Sequence, residues 1–410
     1  MQSEPPFPTL GPFDHQPRTR LVFGAGKVDQ IGELAAELGP RRVLVVTDRG
    51  IVSAGHVQRV EHSLQAAGLG TVIFDHVHEN PTTRDVDACL AVARAAGIDL
   101  IVGLGGGSSM DTAKGCNFLL TNGGQMKDYL GVGKATQPML PLIAIPTTAG
   151  TGSECQSAAL IADERTHQKM ACLDSKAAAR IAVLDPLLTL SQPPRVTLCS
   201  GIDAIAHAIE TAVTRKRNPI SAMYSHEAFR LTMTGFERVL KDPLDVEARG
   251  RMLLGAAYGG LAIENSMLGA AHSAANPLTA HFNIVHGQAV GMMLPAVVRF
   301  NSRAPAVLQA YEELASIPEL DCVGDGQLAA DDALCARLEG LLNLAGFPRS
   351  LADCAVPRSA IPMLADEAAR QWTAEFNPRK VAAQDFVKLY EAAFEPRAQG
   401  ENSPTSIFAH

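Results

Sequence analysis

The sequence lacks the features of a protein that binds membranes or nucleic acids. Its apolar runs are short: LPLIAIP at 140–146, one of the longest, falls far below the roughly 20 residues of a membrane-spanning helix. The chain has 35 Lys and Arg against 43 Asp and Glu, a net charge of −8, so it has no excess of basic residues for contacts with nucleic-acid or lipid phosphates. We therefore expect neither a nucleic-acid partner nor a membrane partner.

Signals for export and for disulfide bonding are also missing. The first residues, MQSEPPFPTLGPF, have no basic flank followed by an apolar stretch, which is the pattern of a signal peptide. The eight cysteines are scattered without a CxxC pair, so the sequence indicates neither a disulfide framework nor a cysteine-rich zinc site. These absences favour a reducing, cytoplasmic setting.

The chain is long enough for two domains, and its character changes near the middle. In the first half, apolar runs such as RRVLVVTD (41–48) and DLIVGLGGG (99–107) alternate with helical segments, which predicts a Rossmann-like, mostly parallel sheet. The proline-rich SQPPR (191–195) ends this alternation, and helical spacing of Ala, Leu, Met and Glu follows. We predict an α/β domain over residues 1–194 and an all-helical domain over 195–410.

Two glycine-rich loops follow strand-like runs in the first half. In GLGGGSSMDTAKG (103–115), three glycines allow the backbone to approach a diphosphate, and the helix that follows offers N–H groups and the positive end of its dipole. PTTAGTGSE (146–154) places several hydroxyls among glycines. The first loop alone could be a tight turn before a capped helix. Together, at the carboxyl ends of parallel strands, they predict a nucleotide-binding crevice.

Asp48 ends the strand-like run RRVLVVTD. A carboxylate at this place can accept hydrogen bonds from an adenosine ribose and would repel a 2′-phosphate, which favours NAD over NADP. The alternative is a plain turn residue.

A possible metal site lies in the helical half. Asp203 and His207 are four residues apart in SGIDAIAHAIE (200–210), which places them on one face of a helix, although such a pair is more often a surface or capping interaction. His272 and His286, in AHSAANPLTAHFNIVHG (271–287), offer two more nitrogens. One carboxylate with three imidazoles suits Fe(II) or Zn(II).

These segments resemble a known family when they are taken in order. GGGSSMDTAKG, PTTAGTGSE, DAIAHAIE and AHSAANPLTAHFNIVHG are similar to motifs of the iron-containing (group III) alcohol dehydrogenases. The resemblance runs from RLVFGAGKVDQIGE (20–33) to NPRKVAAQDFVKLYEAAF (377–394), nearly the whole chain. It implies a dinucleotide-binding α/β domain, a helical domain that binds metal and substrate, a cleft between them, and a homodimer or larger assembly. It also favours Fe(II) over Zn(II).

The resemblance implies a role for particular residues. The metal ligands fall on Asp203, His207, His272 and His286, and the last two have the separation of fourteen that the family motif requires. The cofactor-binding positions fall on Asp48, Asn80, Gly106, Gly107, Ser108, Asp111, Thr147, Thr148 and Lys169.

One position departs from the family pattern. Where the family has HxxxHPLG, with its second histidine often assigned to proton transfer, this chain reads HSAANPLT. Asn276 replaces that histidine, and Thr279 replaces the glycine. Because asparagine does not titrate near neutral pH, we predict that no imidazole relay operates at this position. His281 lies five residues on, about 140° around a continuing helix, and we expect it to be a partly exposed bystander.

We therefore predict a reversible, nicotinamide-dependent oxidation of a small alcohol to an aldehyde or ketone. One alternative is a related NAD- and metal-dependent enzyme of the dehydroquinate synthase or glycerol-1-phosphate dehydrogenase type. Such enzymes take phosphorylated substrates, whereas the segments 200–210 and 271–287 contain no Lys or Arg. A second alternative is a nucleotide-binding protein without catalysis, which the retention of all four potential ligands argues against.

Overall fold

A computed structural model of the chain describes residues 13–165, 169–320 and 329–396. Its backbone contacts define two compact units. One spans Gln16–Pro193, and the other begins at Pro194 and also includes residues 13–15. Within the described ranges, no helix combines the length and the apolar character that crossing a membrane requires.

The first unit is built on a six-stranded sheet in the order β1-β9-β6-β4-β2-β3, in which every pairing is parallel. A smaller sheet has the order β5-β8-β7, with β7 antiparallel to β8. The strands are β1 Arg20–Phe23, β2 Arg42–Val46, β3 Gly70–Phe74, β4 Leu100–Gly105, β5 Gly131–Val132, β6 Leu142–Pro146, β7 Ala158–Ala162, β8 Lys169–Leu173 and β9 Ile181–Leu184. The predicted parallel sheet is confirmed, whereas the sequence patterns did not indicate the antiparallel β7–β8 pair.

The central strands are apolar without alternation because helices cover both faces of the sheet. On β2, Val43 and Val45 join one buried cluster, while Leu44 and Val46 join another on the opposite face. The covering helices are α1 Ile31–Ala36, α2 Arg49–Ser53, α3 His56–Ala66, α4 Thr83–Ala96 and α5 Gly107–Asn122. The chain leaves β2 to form β3 on one side and later returns to form β4 on the other. The carboxyl ends of β2 and β4 therefore meet at a switch point of the topology, where open parallel sheets bind ligands.

The second unit contains helices and no strand among its described residues, as the sequence predicted. Its helices are α6 Pro194–Thr211, α7 Pro219–Lys241, α8 Val246–Asn265, α9 Ala270–Phe282, α10 His286–Asn301, α11 Pro305–Ala315, α12 Ala330–Leu344, α13 Ile361–Ala369 and α14 Ala383–Phe394. Helix α6 lies in the centre and packs against α7, α8 and α10. Nearly every residue from Leu198 to Thr211 is buried, because this stretch is mostly apolar or small and the helix has neighbours on several sides.

Candidate functional site

The potential metal ligands come together in the helical unit. Asp203 and His207 lie one turn apart on α6, His272 lies on the first turn of α9, and His286 is the first residue of α10. Oδ1 of Asp203 lies 3.6 Å from Nε2 of His207, 3.3 Å from Nε2 of His272 and 3.9 Å from Nε2 of His286. Three imidazole nitrogens thus converge on one carboxylate oxygen.

Burial distinguishes the fourth potential ligand from the other three. Asp203, His207 and His272 are each 4% exposed, and their ligand atoms all lie within 4.8 Å of one another. The side chain of His286 is 30% exposed. Solvent therefore reaches the cluster most easily at the imidazole of His286.

The residues present fit a divalent cation. Among the described residues, Oδ1 of Asp203 and Nε2 of His272 are buried and have no hydrogen-bond partner of acceptable geometry, although buried polar atoms are normally paired. Nδ1 of His272 donates to Glu210, so in the neutral ring Nε2 carries a lone pair that faces the carboxylate. Two lone pairs so close together favour a cation between them. Carboxylate oxygen and imidazole nitrogen are both ligand types that Fe(II) and Zn(II) bind.

The shifted pKa values of Asp203 and His272 also indicate that the cluster favours a positive charge. Burial raises the pKa of Asp203, but the neighbouring imidazoles, His207 foremost, outweigh burial and hold that pKa well below its ordinary range. Burial lowers the pKa of His272, but the carboxylates of Glu210 and Asp203 outweigh it and raise the pKa to about 9. The cluster therefore favours a positive charge beside Asp203, whether a proton or a metal cation.

Glu210 is a member of the site that the sequence argument missed. Its Oε1 accepts from the backbone N–H of Ala271 at 2.7 Å, and its Oε2 accepts from Nδ1 of His272. A signal was present, because Glu210 follows Asp203 by seven residues and His207 by three, which are spacings of one helix face. The contact to a residue 62 positions later was not readable from that spacing.

The replacement at position 276 and the nearby His281 have separate partners. Nδ2 of Asn276 donates to Oε1 of Gln371 at 3.0 Å, so the half-buried carboxamide is held within the helical unit. His281, in the last turn of α9, pairs through Nε2 with Oε2 of Glu367 at 2.9 Å, and its side chain is 38% exposed. His281 is thus a surface histidine with an acidic partner.

In the first unit, the two glycine-rich loops pack together at the ends of β4 and β6. The N–H of Thr147 donates to the carbonyl of Gly105 at 3.0 Å, and a Cβ on Gly106 would stand 3.4 Å from the side chain of Thr148. A Cβ on Gly107 would approach Cγ2 of Thr151 to 2.9 Å, so a larger residue there would displace the Thr151 side chain. Helix α5 begins at this junction, and the first amides of a helix have no acceptor within it.

Asp48 and Asn80 lie beside the first loop. Oδ1 of Asp48 accepts from the N–H of Gly50 at 2.8 Å and of Ile51 at 3.1 Å, which caps α2. Asp48 therefore acts as the turn residue that the sequence offered as the alternative. Its other oxygen, Oδ2, lies 3.5 Å from where a Cβ on Gly105 would be, and so faces the first loop. Asn80 has a φ of 53°, and its N–H donates to Oγ of Ser108 at 3.3 Å.

Asp111 belongs to a buried polar group that ties α5 to the second loop. It accepts from Oγ of Ser153 at 3.2 Å, and burial raises its pKa to about 6 against the opposing charges of Lys114 and Lys169. Lys114, to which the sequence argument assigned no role, is fully buried and donates to Ser153 O (2.6 Å), Ser153 Oγ (3.0 Å) and Ala158 O (3.0 Å). Lys114 therefore anchors the loop that carries Thr147 and Thr148.

Comparison with known proteins gives family matches over most of the chain. The profile of the iron-containing alcohol dehydrogenases matches residues 17–186, and the profile of the C-terminal part of the Fe-containing alcohol dehydrogenase family matches residues 197–394. The chain is 32% identical over 375 residues to the NAD-dependent methanol dehydrogenase of Bacillus methanolicus, a match that covers 91% of this chain and 97% of that relative.

Solved structures give the same result. The alcohol dehydrogenase from Oenococcus oeni has a TM-score of 0.88 at 29% identity and covers 93% of this chain and 100% of its own. The sulfoacetaldehyde reductase of Bifidobacterium kashiwanohense, solved in complex with NAD+, has a TM-score of 0.83 at 25% identity, with 93% and 99% covered. These relatives are alcohol and aldehyde oxidoreductases, which supports the dehydrogenase interpretation over the dehydroquinate synthase or glycerol-1-phosphate dehydrogenase alternative.

Proposed function

The chain belongs to the iron-containing alcohol dehydrogenase family, and we therefore propose that it oxidises a small alcohol reversibly to an aldehyde or ketone, with a nicotinamide nucleotide as hydride carrier. The observation that carries this proposal is the convergence of four potential ligands in the helical unit: Asp203, His207, His272 and His286. The other unit of the chain has the parallel sheet that is typical of nucleotide-binding domains.

We propose that these four residues hold one divalent metal, with Fe(II) favoured and Zn(II) possible. A bound metal of this kind supplies a Lewis acid for the substrate oxygen, and NAD supplies the hydride acceptor. The protein residues provide position and charge: α6 presents Asp203 and His207 from one rigid face, and burial of three of the four side chains restricts water. The more exposed His286 marks the side on which a substrate has access.

For the cofactor we propose NAD in preference to NADP. The proposed binding residues are Asp48, Asn80, Gly106, Gly107, Ser108, Asp111, Thr147, Thr148 and Lys169. Support comes from the close packing of the two glycine-rich loops at the ends of neighbouring parallel strands and from the start of α5 beside them. The carboxylate of Asp48 stands at the end of β2 beside the first loop, where its charge disfavours a 2′-phosphate.

We propose that proton transfer does not use an imidazole at position 276. The carboxamide of Asn276 can orient a hydroxyl group or a water molecule by hydrogen bonding, but it cannot take up a proton near neutral pH. Its bond to Gln371 holds the amide group in a defined orientation for that task.

We further propose that the protein is cytoplasmic and that it forms a homodimer or a larger assembly. The seven cysteines within the described ranges carry free thiols, which fits a reducing cytoplasm. The family resemblance supports a homodimer or larger assembly, and light scattering of the purified chain would determine its mass in solution.

The proposed function is tested by metal analysis and by NADH- and NADPH-linked reduction of short-chain aldehydes, before and after chelation. We expect about one divalent metal per chain, a preference for NADH, loss of activity on metal removal, and recovery with Fe(II) or Zn(II). His286→Ala should lose metal and activity. His281→Ala, which removes a surface histidine of the same segment, should keep both.

Two results would contradict the proposal. One is full activity in protein from which the metal has been removed. The other is NADH binding without any aldehyde-dependent oxidation of the nucleotide, which would favour a binding protein that has lost catalysis.

A further inference from the structure

Helix α9 begins at an unusual junction, where its first two amides are held by side chains from other elements. An α-helix leaves its first N–H groups without intrahelical acceptors. Here the N–H of Ala270 donates to Oδ1 of Asn377 at 3.2 Å, and the N–H of Ala271 donates to Oε1 of Glu210 at 2.7 Å. Both acceptor side chains are buried. The start of α9 is thereby fixed against α6, the helix that carries Glu210.

Glu210 does more than satisfy a helix terminus. Its second oxygen, Oε2, accepts from Nδ1 of His272, the residue next to Ala271. One carboxylate therefore binds a backbone amide and the adjacent imidazole at once, which fixes both the start of the helix and the rotation of the ring. With its proton on Nδ1, the ring presents the lone pair of Nε2 to Oδ1 of Asp203, 3.3 Å away.

We propose that Glu210 is a positioning residue for metal binding: it selects the Nδ1-protonated form of His272 and aims Nε2 at the metal position beside Asp203. This inference rests on the proposed function, because it takes the His272 imidazole as a metal ligand. A partner on the far nitrogen fixes the orientation of a ligating histidine and raises its basicity, and loss of such a partner typically weakens metal affinity about 10–100-fold.

The chemistry of the contact predicts the effect of an isosteric change. A carboxylate offers two acceptors to two donors, whereas the carboxamide in Glu210→Gln offers one acceptor and one donor group. That variant can satisfy either Ala271 N–H or Nδ1–H of His272, but not both. If its NH₂ faces the ring, it stabilises the tautomer with the proton on Nε2, which is the wrong form for a ligand.

The test measures Zn(II) affinity of the full chain by competition with a chromophoric chelator, together with the visible spectrum of the Co(II)-loaded protein. For Glu210→Gln we expect a 10–100-fold weaker Zn(II) affinity and an altered Co(II) spectrum. Asn377→Ala is the control for the helix start: it removes the acceptor of the Ala270 N–H, together with bonds to Asn301 and Arg379, without touching the imidazole. Ser273→Ala is a milder control for α9 packing, since it removes the bond to Thr373.

If Glu210 only stabilised the helix start, Glu210→Gln and Asn377→Ala would change the Zn(II) affinity and the Co(II) spectrum in the same way. The proposal is overturned if Glu210→Gln binds Zn(II) as tightly as the unmodified chain, or if Asn377→Ala loses the same affinity with the same Co(II) spectrum. If the unmodified chain itself binds no metal, both this inference and the proposed function fail. If the unmodified chain binds metal and Glu210→Gln binds it equally well, the proposed function stands and this inference alone fails.

Discussion

Asn276 is a single departure from the family pattern beside four potential metal ligands. It lies one helical turn after His272, so the two side chains share a face of α9. The four potential metal ligands are independent of it, whereas the group available for proton transfer at this position is a carboxamide instead of an imidazole. Chemistry that depends on the metal can therefore persist while its pH dependence changes.

At the residue scale we predict the outcome of Asn276→His. The variant adds a titratable group, so the pH profile of kcat should gain an ionisation near the ordinary histidine pKa of about 6.5. Turnover should rise, by up to about 100-fold if proton transfer limits the rate. Steady-state kinetics between pH 5 and 9 would measure both effects.

The control for this variant is Asn276→Ala, which removes the bond to Gln371 and adds no titratable group. It should leave the shape of the pH profile unchanged. An unchanged profile and turnover in Asn276→His would mean that another route already carries the proton.

At the scale of secondary-structure elements, the close contact between α6 and α10 sets the position of His286. Gly287 directly follows His286, and a Cβ at Gly287 would stand 2.0 Å from the carbonyl oxygen of Cys199 on α6. That neighbour is backbone and cannot rotate away. The absence of a side chain at Gly287 thus allows α10 to begin against the helix that carries Asp203 and His207.

We therefore predict that Gly287→Ala displaces the start of α10 and moves His286 away from Asp203. Overpacking of this kind typically costs about 1–3 kcal/mol, and metal affinity should fall together with stability. Gly340→Ala on α12 is the control, because its Cβ would meet nothing within 4 Å; it should stabilise the helix by about 0.5–1 kcal/mol. Urea unfolding and Zn(II) titration measure the two effects, and equal behaviour of the two variants would argue against the close contact.

At the scale of the whole molecule, the two candidate sites belong to different compact units. A ligand that binds only the native state stabilises it in proportion to the logarithm of its concentration, by about 2.7 kcal/mol at 100 times Kd. Metal and nucleotide should therefore protect different segments of the chain against local opening.

We predict this division in hydrogen exchange followed by mass spectrometry. Chelation should speed exchange chiefly in α6, in α9 and at the start of α10, whereas NAD+ should slow exchange chiefly in the loops 103–109 and 146–154. The β2–β4–β6 region gives an internal reference for chelation, since it lies in the other unit. If chelation loosens that sheet as much as the helices, the metal is not held where we propose.

Local patterns in the sequence determined much of this protein. Continuous apolar runs indicated parallel strands buried on both faces, and the spacing of four between Asp203 and His207 placed both on one helix face, because strand and helix periods repeat within a few residues. The glycine-rich loops were identifiable by their residue types alone. The confirmed fold class followed from these short-range rules.

Tertiary structure alone decided the long-range contacts. Glu210 reaches His272, 62 positions later, and Lys114 holds carbonyl groups 39 and 44 positions away. Neither partner could be chosen from periodicity, which gives the direction of a side chain from its own element but not which element packs there. The order of the strands, which brings the ends of β2, β4 and β6 together, was decided in the same way by the packing of distant segments.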